Sequence, residues 1–229
     1  MRMSRLIGTY GVMVLAFCCA AGAHAAVRLV PKQYPTIQLA IDASVAGDTI
    51  EVAPGIYSEA LNFGGRAIVV RSTAGASTTI VDPVVGRGFT ANGLETAAAR
   101  LEGFTLRGGS AGDGGGVYIE SSSPTLVNCV ITGNSCGNHG GGVHVASGNP
   151  RFVGCTVSLN TGWRLGGGVY VGGGSPQFEN CHVTGNTLVT SDSAGGGVYV
   201  GTSQTVSFVG GSVSSNVALS RWTGISKLR

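Results

Sequence analysis

Charged and aromatic side chains are scarce in this sequence, at 11% and 7% of its 229 residues, well below what an ordinary globular domain carries. Lysine and arginine are scattered, with no aromatic-basic cluster, so nothing resembles a nucleic-acid footprint. Beyond the first 25 residues there is no long apolar run, so no membrane span is expected downstream. What is abundant is glycine, 40 residues in all, which suits a disordered chain, a collagen or a solenoid; periodicity decides among them.

The N-terminus is read separately. Arg2 and Arg5 precede an apolar run from Leu6 to Ala20 that ends in Ala23-His24-Ala25, the pattern of a secretory signal peptide over residues 1–25. Phe17 before Cys18 speaks against lipidation. A mature chain from Ala26 would keep 12 of the 14 basic residues and all 11 acidic ones, a net charge of 12 − 11 = +1. The expected location is secreted, periplasmic or cell-surface.

Four Gly-Gly-Gly-Val units begin at Gly114, Gly140, Gly166 and Gly195, spaced 26, 26 and 29 residues apart. Each continues through matching positions: Leu126, Phe152, Phe178 and Phe208; Cys129, Cys155, Cys181 and Gly211; Ile131, Val157, Val183 and Val213; Asn134, Asn160, Asn186 and Asn216. The apolar clusters are short and alternate, which marks strands rather than helices. Asn128, Gly154, Asn180 and Gly210 interchange at one position, and these two residue types tolerate the left-handed conformation, so a corner is expected there. The unit is therefore one coil of a parallel solenoid with three short strands, and the asparagines should form a ladder.

Upstream, Tyr34–Ala43 reads as a short amphipathic helix, with Ile37, Ala40 and Ile41 on one face, that caps the N-terminal end. Thr49–Val52, Ala67–Arg71, Thr79–Val81, Gly88–Thr90 and Leu101–Arg107 read as strands. The expected organisation is a cap and irregular coils over 26–110, regular coils over 111–217 and a short tail over 218–229. No C-terminal cap is evident, and an exposed final coil invites end-to-end self-association.

The segment YPTIQLAIDASVAGDTIEVAPGIYSE, residues 34–59, resembles the N-terminal cap and first coil of the pectin lyase-like superfamily, and the GGGVY…SPxFxNCxVTGN units resemble repeats of secreted right-handed β-helix proteins. They are also distantly similar to the GGA-I and FxxN repeats of polymorphic outer-membrane proteins. The resemblance implies an all-β, right-handed parallel β-helix with an N-terminal capping α-helix. It leaves function to the site, because the superfamily spans lyases, esterases, hydrolases, epimerases and catalytically silent proteins.

The catalytic motifs that the resemblance brings into question are missing. No RxPxxR stretch occurs; Arg100 and Arg107 flank a strand without the proline. The NTD, DD, GHG and RIK segments of polygalacturonases are absent, Asn138-His139-Gly140 only brushing one of them. Asp82-Pro83-Val84 lacks the partners of an esterase or epimerase site. Sugar acid-base chemistry needs two carboxylates within roughly 5–10 Å, whereas Asp113 and Glu120 have His139 and Ala146 one coil on, so they read as solvated turn charges. Cys129, Cys155 and Cys181 form one interior ladder and read as buried free thiols, side by side and poorly placed to bridge; Cys136, with no repeat mate, is the candidate for a disulfide or a reactive thiol. No catalytic, cofactor-binding or metal residue is assigned, and calcium enters only on a lyase reading.

The one candidate binding feature is an outward row, Tyr118, His144, Tyr170 and Tyr199, one residue per coil, which either stacks on sugar rings or stabilises the sheet. His182 falls on a different sheet from His144. The sequence thus points to a non-catalytic β-helix module for surface structure, adhesion or glycan binding, with a cell-surface glycan or polysaccharide as partner. The alternative is a lyase or hydrolase acting on an acidic glycan such as pectate.

Overall fold

The structure, a computed structural model, describes residues 25–191, 193–202, 204–219 and 224–227; the expected leader lies almost wholly outside them. The described chain winds into a parallel β-helix. Its strands stack into three tall sheets of eight, seven and seven strands and a fourth, short-stranded sheet of five. One coil shows the plan. Val143–Val145 lies in what we call the tyrosine sheet, Arg151–Val153 in the phenylalanine sheet, Thr156–Ser158 in the valine sheet, and Thr161–Gly162 in the narrow sheet, before Val169–Val171 begins the next coil one storey up.

The expected in-register stacking is present: Leu126 pairs with Phe152, Phe152 with Phe178, and Phe178 with Phe208. The Phe152 and Phe178 rings stack 4.7 Å apart and 4° from parallel, matching the strand spacing, so side-chain contact and ladder hydrogen bonds are satisfied by the same translation. The inward residues Val117, Val143, Val169 and Val198, with Ile131, Val157 and Val183, are buried in one continuous core.

The corner also forms as the Asn/Gly interchange predicts. Asn128, Gly154, Asn180 and Gly210 have φ of 50°, 62°, 51° and 70°. The turn re-aims the chain so that Phe178 and Cys181, of opposite strand parity, are both fully buried. Gly103, at φ 70°, is the same corner one coil earlier, which is why Leu101–Arg107 is not one strand but two, Arg100–Glu102 and Thr105–Arg107. The narrow sheet is an addition to the three strands per coil read from the sequence; two-residue strands are too short to show an alternation.

At the start, Ile37–Asp42 forms the capping helix, with Ile37, Ala40 and Ile41 buried. The Thr36 hydroxyl accepts from the Leu39 N–H, and the Glu59 carboxylate accepts from the N–H groups of Ile37 and Gln38 at 2.9 and 2.8 Å, satisfying donors that have no partner inside the helix. The first strand, Val27–Val30, was not anticipated; it pairs with Thr49–Val52. Of the expected tail, Ile225–Lys227 instead adds a strand to the tyrosine sheet beside Val198–Val200.

Asp48 ties this first coil together. Its buried carboxylate accepts from the N–H groups of Ala26 and Val45 and from the Arg28 guanidinium. The two backbone donors, and then Arg28, hold its carboxyl below the usual carboxylate range against the opposing effect of burial. A carboxyl depressed on folding contributes stability that is complete above its unfolded value, 3.8, and disappears as pH falls through the folded value. Thermal unfolding followed from pH 7 to 2 should therefore show a steeper acid loss for wild type than for Asp48→Asn, which should also be less stable at pH 7. Equal acid slopes would contradict this role.

Candidate functional site

The tyrosine sheet carries the densest polar and aromatic surface. In each strand the flanking residues face the core, so the middle residue faces out; register places Tyr118 beside His144, His144 beside Tyr170, and Tyr170 beside Tyr199. Adjacent ring centroids are 5.2, 4.8 and 5.6 Å apart, the last pair only 4° from parallel. The row exists, but it is not the uniformly open surface expected. Tyr118 and Tyr170 are half-buried, whereas His144 and Tyr199 are buried, at 7% and 4% exposure. The cause is the stacking itself: rings repeated at strand spacing cover one another's faces and present mainly their edges. Burial raises the pKa values of the three tyrosines and lowers that of His144.

A second column, unrecognised in the sequence as a unit, flanks this row. Arg87, Asp113 and His139 sit one coil apart, and His139 bridges onward to Leu165. Arg87 Nε donates to the Asp113 carbonyl at 2.9 Å, and its guanidinium lies 4.3 Å from the Tyr118 ring centroid, a cation–π contact. The Asp113 carboxylate accepts from the His139 N–H, and the same oxygen lies 3.1 Å from His139 Nδ1 and 3.5 Å from His144 Nδ1. The His139 ring then stacks on Tyr170 at 4.7 Å. Asp113 is thus joined, through His139, to the aromatic row rather than being an independent solvated turn charge. The signal was present as an Arg–Asp–His series at the 26-residue repeat spacing.

Elsewhere five of the described acids are individually committed. Asp82 pairs with Arg107, Glu51 with Arg71, Glu102 with Arg100, and Glu179 with Arg151. Buried Glu95 accepts from the Gly65 and Gly93 N–H groups and the Ser122 hydroxyl; burial opposes its ionisation, but these donors outweigh it and hold the carboxyl below its usual range. A shallow cleft at the corner between the phenylalanine and valine sheets is lined by Arg71, Glu102 and Asn128, away from the aromatic row. Among the described residues, no three His, Cys, Asp or Glu side chains are placed to hold a metal ion. His182 sits on the valine sheet against Ser212.

Cys129, Cys155 and Cys181 are free and buried in line, their thiols donating weakly to the Leu101, Leu126 and Phe152 carbonyls. Cys136 is also free and buried, and desolvation pushes its thiol up to about 11. That environment disfavours thiolate, so the structure does not support Cys136 as a reactive thiol. Nor does it lack repeat mates: it occupies the narrow sheet beside Ala111, with Gly162 and Leu188 paired at the same position in later coils, and serves as a small apolar filler.

Residues 60–224 match the family model described as a right-handed β-helix region. The chain belongs to the right-handed β-helix family. A comparison with curated proteins finds no match. Among solved structures, a pectin methylesterase from carrot is similar at 13% identity, over 91% of this chain and 89% of that one, with a TM-score of 0.36, too loose a likeness to inform this β-helix protein's chemistry. No helix among its described residues is long and apolar enough to cross a membrane.

Proposed function

We propose that this right-handed β-helix protein is a non-catalytic module of an extracytoplasmic surface that contacts carbohydrate through the ledge of Tyr118, Tyr170, Arg87, Asp113 and His139. The observation that carries the non-catalytic reading is the commitment of the acids. General acid–base work on a sugar needs two carboxylates free to face one bond, whereas Asp82, Glu51, Glu102, Glu179, Asp48 and Glu95 each hold a cation or backbone donors; beside the ledge, Asp113 is engaged by His139, which leaves Glu120 next to Tyr118 without a cation among the described residues. The ledge supports contact of a particular kind. Because the ring faces are turned on one another, a glycan would meet tyrosine edges, the Arg87 guanidinium and the imidazole of His139, which favours hydrogen bonding over broad stacking.

Binding to a polysaccharide panel that includes polygalacturonate and alginate, with and without calcium, tests this reading. Binding without unsaturated products or new reducing ends is expected. Tyr118→Ala and Tyr170→Ala, both at half-open positions, should each weaken binding about tenfold or more, equivalent to about 1.4 kcal/mol. Undiminished binding by the Tyr118→Ala, Tyr170→Ala pair would remove the ledge from consideration; turnover abolished by Asp113→Asn would transfer the site to a glycan-cleaving enzyme.

A further inference from the structure

What a polar surface recognises depends on which of its atoms carry protons, and beside the aromatic row the geometry decides this. Three nitrogens converge on one oxygen: Asp113 Oδ1 lies 3.1 Å from the backbone nitrogen of His139, 3.1 Å from His139 Nδ1 and 3.5 Å from His144 Nδ1. His144 Nδ1 also lies 3.4 Å from the His139 carbonyl oxygen. Carboxylate and carbonyl oxygens only accept, so a ring nitrogen that faces them is the one that carries the proton. In a neutral imidazole the other nitrogen is then bare. The Nε2 atoms of His139 and His144 are thus both acceptors, and neither has a protein donor among the described residues.

These acceptors are held in place. The His139 ring stacks on Tyr170 at 4.7 Å, and His144 packs between Tyr118 at 5.2 Å and Tyr170 at 4.8 Å. Turning either ring over about its Cβ–Cγ bond would set a carbon against Asp113 in place of Nδ1. His144 is 7% exposed, and a buried polar atom without a partner is costly unless something supplies the missing bond. Nε2 is one of the two ring atoms farthest from the backbone, so on side chains that leave the sheet outward it stands where a ligand arrives.

The neighbouring groups lead the same way. Arg87 is already engaged, with its Nε on the Asp113 carbonyl and its guanidinium against the Tyr118 ring. Glu120, beside Tyr118, adds carboxylate oxygens that again only accept. Arg164, exposed and with its N–H on the Asn138 carbonyl at 2.8 Å, is the cation along this column that has no acid partner among the described residues. The row itself therefore offers acceptors: two imidazole nitrogens and the Glu120 carboxylate. Sugar hydroxyls are donors that match them, whereas the carboxylate of an acidic sugar would set lone pairs against lone pairs.

We propose that Asp113 holds His139 and His144 as Nδ1–H tautomers, and so makes the ledge a hydrogen-bond acceptor for the hydroxyls of an uncharged glycan in preference to an acidic one. The ligand class rests on the carbohydrate reading of the ledge, whereas the tautomers rest on the Asp113 geometry alone.

Imidazole nitrogen NMR of the purified protein at pH 8 reads the tautomers with no ligand present. Both rings are expected to carry their proton on Nδ1, and Asp113→Ala should shift His139 toward the Nε2–H form. Wild-type rings protonated on Nε2 would overturn the proposal, whatever the variant does. Binding is then compared, at the same pH, for mannan with mannuronate oligomers and for galactan with galacturonate oligomers, pairs that exchange a hydroxymethyl group for a carboxylate. An uncharged member should bind about tenfold tighter than its acidic counterpart, and His139→Phe, which keeps a ring against Tyr170 but no acceptor, should narrow that gap. Equal or tighter binding of the acidic members would overturn the ligand class and leave the carbohydrate reading standing. Binding of no member, with Nδ1–H tautomers in place, would sink the carbohydrate reading and the ligand class together.

Discussion

Asn160→Ala should be among the most damaging single side-chain truncations in this β-helix protein, lowering stability by about 3 kcal/mol or more in urea unfolding, although it removes no apolar core volume. Asn160 is fully buried. Its Oδ1 accepts both the backbone N–H and the side-chain amide of Asn134 at 3.0 Å, and its Nδ2 donates to the Ile131 carbonyl and to Asn186 Oδ1, each at 2.9 Å. Truncation strips partners from several buried polar groups at once, and each one left unsatisfied costs about 1–3 kcal/mol. Asn160→Asp separates shape from hydrogen bonding: it keeps the volume but replaces the donor that faces Ile131 O and Asn186 Oδ1 with an acceptor, so it should be at least as destabilising at neutral pH and partly relieved in acid, where a protonated carboxyl regains one donor. A loss below about 1 kcal/mol for Asn160→Ala would show that the amide ladder is dispensable.

That ladder was legible in the sequence, and the reason separates what could be read from what could not. In a solenoid, residues one repeat apart are spatial neighbours, so any property recurring at that spacing is a statement about contact. Asn134, Asn160, Asn186 and Asn216 recur as one residue type, and so do the Phe152, Phe178 and Phe208 stack and the Asn/Gly corner. The Arg87–Asp113–His139 column obeys the same spacing but with a different residue in each coil. Only complementarity of charge links its members, which is why Asp113 was read, with Glu120, as a solvated turn charge. The row of Tyr118, His144, Tyr170 and Tyr199 was placed on its sheet correctly by parity, but parity says nothing about exposure. The same repeat that aligns the rings makes them cover each other, and the buried state of His144 and Tyr199 follows from that alignment together with His139 and Asp113 beside it. Cys136 was misjudged because its mates, Ala111, Gly162 and Leu188, share size and polarity rather than identity.

The glycine triplet leads to the other large expected effect. Its uniformity suggests one purpose, yet each position meets a different obstacle. Gly140 has φ 68°, and a Cβ there would lie 2.3 Å from the Val143 carbonyl oxygen. At Gly141 a Cβ would fall 2.6 Å from the carbonyl oxygens of both Gly167 and Thr161. At Gly142 it would meet Val157 Cγ1 and Asn160 Nδ2, both at 2.7 Å, side chains that belong to the core and to the amide ladder. Gly141 isolates close approach from conformational strain, since its φ is not left-handed and its obstacles are backbone of other parts of the winding: Thr161 in the narrow sheet of the following turn, and Gly167 in the coil above. Neither can retreat without opening hydrogen bonds such as Gly141 N–H to Gly166 O. Gly141→Ala should therefore cost about 3 kcal/mol or more, beyond ordinary overpacking, where side chains can yield. Gly137→Ala is the matched control four residues upstream: its φ is not left-handed and the nearest atom to a new Cβ is 4.0 Å away, so the change should stay within about 0.5 kcal/mol. Equal unfolding midpoints for the two variants would mean that the triplet only supplies flexibility; a large separation would establish close backbone approach between successive turns as the reason that three glycines stand at the entrance to every tyrosine-sheet strand from Val117 to Val198.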